Sequence, residues 1–360
     1  MKNKTISFLL PGAIDTPGGG YKIILEHANH LAEKGCRIFI ECPATMNWKQ
    51  QNLLNKLKQV RIYFKRKYFI GYDCRKWFHL HPGIEVRWIW SLNYNQVYKS
   101  DIYIATEVRT SPYLNDYPID NSRKFYFIQD YENWFVSDQQ VRTTYHYPMT
   151  KMAIAHWLMD IIEKDEQQKC FFTPNGFDIK YFHITIPIEQ KNKYIISMLY
   201  HWQERKDIPT ALAALKIVKK RIPQLNVLIF GEHPAPELPD WFKYYRKPSE
   251  ELHLKINNQA AIYVGSSKIE GFGLTVGEAM LCGQAVACTD NAGYKEMAKD
   301  GETALLSPVG NPEKLAANII KLIEDDQLRY KIAQSGHDFI QTHFSWEKAH
   351  ILFDRVLNIE

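Results

Sequence analysis

The sequence has no cysteine pair at CxxC or zinc-ligand spacing; its six cysteines, Cys36, Cys42, Cys74, Cys170, Cys282 and Cys288, are scattered. That pattern fits reduced thiols in a reducing compartment rather than a disulfide framework. Neither His-Glu-x-x-His nor Asp-x-Asp occurs, so metal-dependent catalysis has no sequence support and no metal site is expected. The dinucleotide fingerprint Gly-x-Gly-x-x-Gly is missing too, and no acid beyond Glu41 stands out downstream of the glycine loop, which disfavours nicotinamide and flavin chemistry. No apolar run is long enough to cross a bilayer, and there is no internal repeat or low-complexity tract. The first ten residues start like a signal peptide. Pro11 and Asp15 cut the apolar part short and no small-residue cleavage site follows, so the segment reads as a strand and the chain is expected in the cytoplasm.

What is present points to a globular α/β protein. The length of 360 residues exceeds one small core and makes two domains the natural expectation. Apolar residues make up 45%, which suits a packed soluble interior. The net charge of +5 is mild but unevenly placed. Between Lys49 and Phe78 lie Lys56, Lys58, Arg61, Lys65, Arg66, Lys67, Arg75 and Lys76 with Asp73 as the only acid, and aromatic residues are interleaved among them. One reading is a solvated basic face whose aromatics pack inward. The other is a surface for anionic lipid at residues 49–78. Nucleic acid is not expected as a partner, because no recognition motif accompanies the patch.

The pattern alternates strand and helix twice over, as two doubly wound α/β domains would. In the first half, strands are predicted over 5–10, 37–41, 102–105, 124–128 and 169–173. Helices are predicted over 21–34 and 147–164, the first stopped by Gly35. Turn chemistry at Pro174-Asn-Gly-Phe-Asp178 and a polar run after it mark the junction. The expected partition is therefore a first domain over 1–180, a second over 181–345, and a C-terminal helix over 346–360 packing back on the first. The second half is predicted to hold strands over 194–199, 226–230, 260–264 and 285–288. Its predicted helices cover 208–221, 276–282, 312–324 and 326–342.

The most informative stretch is Glu270-Gly-Phe-Gly-Leu-Thr-Val-Gly-Glu278-Ala-Met280. A Gly-Phe-Gly-Leu turn before an apolar helix leaves backbone N–H groups at a helix N-terminus, an anion site by geometry and dipole. Glu270 falls just past the end of a buried strand, where ligands of open α/β sheets bind. Thr275-Val-Gly-Glu278 also fits a capping box, with Thr275 at the N-cap and Glu278 at N3; that reading and a ligand role for Glu278 are compatible. Carboxylates flanking an anion site suit a ligand made of sugar, phosphate and sugar, the form of a nucleotide-sugar. Three further segments draw notice. Thr16-Pro-Gly-Gly-Gly20 sits between a strand and a helix, where glycines let backbone approach phosphate. In Tyr200-His-Trp-Gln-Glu-Arg205-Lys206-Asp207, the two cations follow a strand end and could neutralise a diphosphate. Finally, Phe127-Ile-Gln-Asp130-Tyr-Glu132-Asn-Trp-Phe135 ends a strand with polar groups among aromatics, the side chains that hold carbohydrate, although such aromatics could equally fill the core beneath the loop.

Taken in order, these residues resemble the family 4 retaining glycosyltransferases of the GT-B fold, two Rossmann-like domains facing across a cleft. The resemblance covers nearly the whole chain. It is strongest from Pro174 onward: Pro174 to Asp178 with Phe182, Arg205-Lys206, Phe230-Gly231, Glu270 to Gly283, Asn291-Ala-Gly-Tyr-Lys-Glu296 and Phe344-Ser-Trp346. The Glu-x7-Glu element is highly specific for that clan. Phe127 to Glu132 with Trp134-Phe135 looks more narrowly like bacterial rhamnan and O-polysaccharide transferases.

The resemblance implies the following roles. Glu270 contacts donor-sugar hydroxyls near the anomeric centre as the carboxylate most tied to catalysis, with Asp130 as the catalytic carboxylate of the first domain. Phe272, Gly273, Leu274 and Thr275 bring backbone amides to sugar and phosphate, and Glu278 holds ribose hydroxyls. Lys206 and Arg205 bind the diphosphate, joined by Gly18, Gly19 and Gly20. Gln129, Glu132 and Trp134 contact acceptor or sugar, and Tyr245, Arg246 and Lys247 read the base. The sequence departs from the family at two positions. His201 stands where an Arg is common, so Arg205 would substitute for it. Gln129 stands where a His is common, and Gln cannot act as an acid or base.

The implied activity is retaining, metal-independent transfer of a sugar from a nucleotide-diphosphate donor to a glycan or lipid-linked acceptor in cell-surface polysaccharide synthesis, with no cofactor. Oxocarbenium character and growing phosphate charge suit Lys, Arg and helix N-termini. A sugar-nucleotide epimerase of the same fold, recognised by epimer formed from donor alone, is one alternative. A non-catalytic nucleotide-sugar-binding subunit is the other.

Overall fold

The computed structural model describes residues 4–46, 52–234 and 237–359. The chain divides into two compact units, residues 1–174 with 350–360, and residues 175–349. Each is built on one all-parallel sheet with helices between the strands.

In the first unit the strands are β1 (Thr5–Leu9), β2 (Arg37–Pro43), β3 (Ile84–Ile89), β4 (Ile102–Ala105), β5 (Lys124–Ile128), β6 (Thr150–Ala153) and β7 (Cys170–Phe172). The helices are α1 (Gly19–Glu33), α2 (Leu53–Lys65), α3 (Ser111–Asn115), α4 (Asp138–Tyr145) and α5 (His156–Asp160). The sheet order is β3-β2-β1-β4-β5-β6-β7, all parallel. Strands covered on both faces read as continuous apolar runs, and the last four residues of β1 and all of β4 and β5 are buried.

The second unit has strands β8 (Asn192–Leu199), β9 (Asn226–Gly231), β10 (Phe242–Arg246), β11 (Ala260–Gly265), β12 (Ala285–Thr289) and β13 (Ala304–Ser307). Its helices are α6 (Ile208–Arg221), α7 (Glu250–Gln259), α8 (Leu274–Leu281), α9 (Pro312–Glu324) and α10 (Asp326–His343), followed by α11 (Trp346–Leu357). The order is β10-β9-β8-β11-β12-β13, again parallel. Ile196, Val227, Ile262 and Ala285 anchor the core below α6 and α9, whose Ala211, Leu215, Ile319 and Leu322 are inaccessible to solvent.

The helix predicted over 147–164 is present only in its second half, as α5 and the helical turn Ile161–Asp165 that continues it. Its first half is β6, whose Met152 and Ala153 are wholly buried between β5 and β7. A short apolar run flanked by Pro148 carries no period that separates a buried strand from a helix. β3, β10 and β13, and the helices α2, α3, α4 and α7, are not among the predicted elements.

Pro174 ends the first stretch of the first unit, and Asn175 to Asp178 of the same turn open the second. Phe177 N–H donates to Phe344 O at 2.7 Å, and a Cβ on Gly176 would lie 2.5 Å from the Trp346 ring. Residues 350–360 belong to the first unit. There Phe353 stacks on His27 at 3.9 Å and His350 on His30 at 3.9 Å, while Asp354 accepts from Lys34 Nζ at 2.9 Å and pairs with His30 at 2.8 Å. Burial, with the neighbouring imidazoles, depresses the basicity of His27, and burial with His30 brings His350 to about 4, so these two rings pack uncharged.

Candidate functional site

Reversal of strand order creates a crevice at the carboxyl ends of the two strands where the winding changes direction. In the second unit those strands are β8 and β11. The loops that leave them carry Arg205-Lys206 and Glu270. Lys206 Nζ donates to Glu270 Oε1 at 2.6 Å, and Ser267 Oγ donates to the same oxygen at 2.6 Å. Tyr294 OH lies 3.5 Å from it and 3.1 Å from Ser267 Oγ, while Arg205 stands 3.8 Å from Glu270 Oε2. Glu270 is buried. Burial alone would raise its pKa, but the Lys206 charge and the hydrogen bonds from Lys206 and Ser267, with Arg205 beyond, hold it below the ordinary carboxylate range.

The two loops are tied through their backbones. Lys268 N–H donates to Arg205 O at 2.7 Å, and Ser266 Oγ donates to Lys206 O at 3.0 Å. Asp207 takes a left-handed conformation at φ 45° where the loop enters α6, and its carboxylate accepts from Thr210 Oγ1 at 2.8 Å. A small hollow behind the pair is lined by Leu199, Lys206, Tyr263, Ser266, Ser267 and Tyr294.

Gly273 sits at φ 96° and is the N-cap of α8, with no side-chain cap on the helix. This overturns the capping box. Thr275 lies inside the first turn, and its Oγ1 accepts from Tyr263 OH at 2.9 Å. The positive φ that only glycine adopts cheaply moved the helix start forward of the threonine. Leu274 and Thr275 occupy the first turn, and Glu278 is half-buried one turn further on. Phe272 buries its ring against Phe177 and Phe344, so its side chain is core. Tyr245 and Arg246 end β10, two strands from β8, and Lys247 follows with its ammonium 3.4 Å from Glu232.

His201 follows β8 on the same loop as Lys206. Its Nδ1 accepts the Gln203 N–H at 3.1 Å, and its ring lies 6.0 Å from Trp202 and 5.3 Å from His233. Trp202 is fixed in turn by donating its indole N–H to His233 Nε2 at 2.9 Å. Burial first, then the charges of Lys206, His233 and Arg205, lowers the His201 pKa to about 4.

In the first unit the corresponding strands are β1 and β4. Gly18 is the extended N-cap of α1, and Gly19 and Gly20 form its first turn; none of the three has a positive φ. A Cβ on Gly20 would lie 3.4 Å from Gln129 Oε1, which brings the loop after β1 to the end of β5. Asp130 accepts the Tyr131 N–H at 2.9 Å. Glu132 accepts the Val108 N–H at 2.6 Å, and Trp134 is exposed beside Phe135. Sequence reasoning missed Glu107 and Arg109, which follow β4 and form an ion pair, with the guanidinium 3.8 Å over the Phe135 ring. Burial and then the Glu107 carboxylate raise the Glu132 pKa well above the usual range, and burial with Glu107 pushes the Tyr21 hydroxyl to about 12.

Residues 49–51 of the basic segment lie outside the described residues. Of the rest, α2 and the turn Arg66–Ile70 bury no residue. Tyr63 and Tyr72 pack toward Trp88, whereas Leu53, Leu54, Leu57, Phe64, Tyr68 and Phe69 face solvent. Arg66 pairs with Asp15 at 2.8 Å and is a structural cation. Among the described residues no helix is long and apolar enough to cross a membrane, and no group of three His, Cys, Asp or Glu is placed to hold a metal ion.

Two doubly wound parallel sheets of this order define the GT-B class, and solved structures share the fold over the full chain. The neighbours include sucrose-phosphate synthase from Thermosynechococcus elongatus (TM-score 0.72, 14% identity, 99% of this chain and 98% of that one). Another is Anabaena Alr3699/HepE, solved in complex with UDP-glucose (TM-score 0.72, 16% identity, 99% of each chain). Residues 183–339, within the second unit, match the family described as Glycosyl transferases group 1. Among curated relatives, the phosphatidyl-myo-inositol mannosyltransferase of Mycolicibacterium smegmatis is 26% identical over 184 residues, covering 48% of this chain and 47% of that protein. The uncharacterized glycosyltransferase MJ1069 of Methanocaldococcus jannaschii is 29% identical, covering 47% of each. The chain thus spans about half the length of these curated relatives.

Proposed function

We propose that the protein is a retaining glycosyltransferase that moves a sugar from a nucleotide-diphosphate donor to a glycan or lipid-linked acceptor. The observation that carries this reading is the Lys206–Glu270 pair at the β8/β11 crossing, beside the uncapped N-terminus of α8. Cations and helix N–H groups meet phosphate there, and a buried carboxylate stands ready for sugar hydroxyls. The anomeric centre gains positive charge as its bond to phosphate breaks, while the departing diphosphate gains negative charge. Lys206, Arg205 and the α8 amides take up the second charge without calling on a metal. Glu270 steadies the sugar through its hydroxyls. With no second carboxylate assigned to the far face of the sugar, same-face attack is the preferred course, the leaving phosphate helping to deprotonate the acceptor. Asp130, Gln129, Glu132 and Trp134 then serve the acceptor, Gly18 to Gly20 the phosphate, Glu278 the ribose, and Tyr245 to Lys247 the base. Cell-surface polysaccharide of the O-polysaccharide type is the narrower form of this proposal, resting on residues 127–135.

Thermal stabilisation by nucleotide-sugars tests the reading. One donor in a panel with uracil, guanine, adenine and thymine bases should raise Tm; at a hundred times its Kd the gain is about 2.7 kcal/mol. Lys206→Ala should lose most of that gain. A parent chain indifferent to every donor would overturn the reading.

Peripheral attachment at the inner face of the plasma membrane belongs to the same proposal. It is supported by the outward apolar side chains of α2 among Lys58, Arg61, Lys65 and Lys67. Each basic group near an anionic surface adds about 1 kcal/mol. Reversing those four charges, and leaving Arg66 to hold Asp15, should release the protein from phosphatidylserine vesicles; unchanged co-sedimentation would exclude the attachment.

A further inference from the structure

Tyr294 opens the helical turn Tyr294–Glu296 that follows β12, and it is buried. Its ring fills space that two glycines leave open. A Cβ on Gly273 would lie 2.6 Å from the ring, and a Cβ on Gly265, at the end of β11, would lie 3.1 Å from both ring and hydroxyl. Gly273 is the N-cap of α8, so the ring bears on the backbone that starts this helix. The hydroxyl donates to Ser267 Oγ at 3.1 Å, and Ser267 Oγ donates in turn to Glu270 Oε1 at 2.6 Å. The tyrosine oxygen itself stands 3.5 Å from the same carboxylate oxygen. Burial, and then the Glu270 charge, raises the Tyr294 pKa well above its ordinary value, so the hydroxyl keeps its proton and remains a donor. The backbone here is pinned as well: Tyr294 N–H donates to Asn291 Oδ1 at 3.0 Å, and Asn291 Nδ2 donates to Ser267 O at 3.0 Å. One side chain therefore meets the start of α8 with its ring and the Glu270 carboxylate, by way of Ser267, with its hydroxyl.

We propose that Tyr294 is a positioning residue with two separable duties: its hydroxyl, through Ser267, fixes Glu270 for the donor sugar, and its ring holds the α8 N-terminus for the diphosphate. This rests on the nucleotide-sugar reading above. Ser267 has a single hydroxyl proton and gives it to Glu270, and the tyrosine supplies the donor that the serine oxygen then accepts. In a buried chain of this kind each hydrogen bond polarises the next, and a missing member loosens the rest. Phenylalanine at 294 would keep the ring against Gly273 and remove only the relay. Leucine would remove both.

The test uses the full chain with UDP-glucose, GDP-mannose, ADP-glucose and dTDP-rhamnose as donors, and UDP, GDP, ADP and dTDP in calorimetry. Turnover is read as release of nucleoside diphosphate, with water taking the sugar where no glycan is supplied. Tyr294→Phe should lower kcat about tenfold, the scale of one hydrogen bond to a charged group, while KM and the nucleoside diphosphate Kd hardly move. Tyr294→Leu should lower kcat at least as far and also weaken the nucleoside diphosphate about tenfold. A phenylalanine ring thus rescues binding but not rate. Ser267→Ala joined to Tyr294→Phe should lose no more rate than Ser267→Ala alone, because both changes break one relay. Equal kcat in Tyr294→Phe and the parent would overturn the proposal. So would a Kd or KM that rises in Tyr294→Phe as far as kcat falls, the mark of a residue that only fills space. Unchanged nucleoside diphosphate binding in Tyr294→Leu would overturn it as well. If the parent binds none of the four nucleotides and consumes none of the four donors, the nucleotide-sugar reading itself falls and this inference with it.

Discussion

Glu270→Gln is expected to reduce transfer by about a thousandfold, the scale of losing a transition-state contact, while nucleoside diphosphate binds at least as tightly as to the parent. The two halves of that expectation come from one ion pair. In the structure Lys206 spends its charge on Glu270 at 2.6 Å, and Arg205 stands 3.8 Å from the other oxygen. A diphosphate must compete with that carboxylate for both cations. An amide keeps the shape and can still accept the Ser267 hydroxyl, but it gives up the charge, so the cations turn to the ligand. Removing one partner of a buried pair costs about 3–5 kcal/mol in the unliganded protein, and Lys206 has only 14% of its side chain exposed. The variant should therefore melt lower alone and gain more from nucleoside diphosphate than the parent does. Activity follows from initial rates with donor and acceptor, and binding from calorimetry. Loss of nucleotide affinity in step with loss of rate would mean that Glu270 only shapes the site.

What could be read from the chain and what could not divides along physical lines. The interior strands β1, β4, β5, β8, β9, β11 and β12 are apolar runs bounded by turn residues, and they were predicted close to their observed positions. β10 and β13 lie at sheet edges, where one side is unpaired and the apolar run dilutes; Phe242–Arg246 carries two cations in five residues. β3, at an edge of the first unit's sheet, alternates buried and exposed positions at its start. β6 failed for a different reason, its run being too short to show any period. At the site, Lys206 and Glu270 were visible because each follows a legible strand and the glycine turn is distinctive. Ser267 and Tyr294 complete the Glu270 environment from positions whose meaning depends on tertiary contact. Glu107 and Arg109 were missed because their place follows from β4 lying beside β1. Strand order is a property of the sheet, and no local pattern in 102–109 announces it. Gly273 shows the converse: the threonine-to-glutamate spacing looked like a cap, and one left-handed residue upstream displaced it.

Gly293→Ala is expected to disable the protein although residue 293 bears no functional group. The backbone there, at φ −70° and ψ −37°, suits any amino acid, so conformational strain is not the obstacle. Space is. A Cβ at 293 would lie 2.2 Å from Glu270 O, 2.6 Å from its carbonyl carbon and 2.8 Å from its Cβ. These are backbone and near-backbone atoms with no rotamer to escape into, so the loop carrying Glu270 must move. Asn291 and Thr289 oppose that movement, since both donate to Ser267 O, at 3.0 and 2.6 Å. Overpacking of this kind costs about 1–3 kcal/mol, which the fold can survive. The catalytic geometry is less tolerant, because an ångström of misplacement is worth about a hundredfold in rate. The variant should thus be folded, melt several degrees lower, and transfer sugar at least a hundred times more slowly, with nucleoside diphosphate binding impaired less because Lys206 lies on the other loop. Near-normal turnover in a folded Gly293→Ala protein would show that the position of Glu270 is not what the reaction depends on.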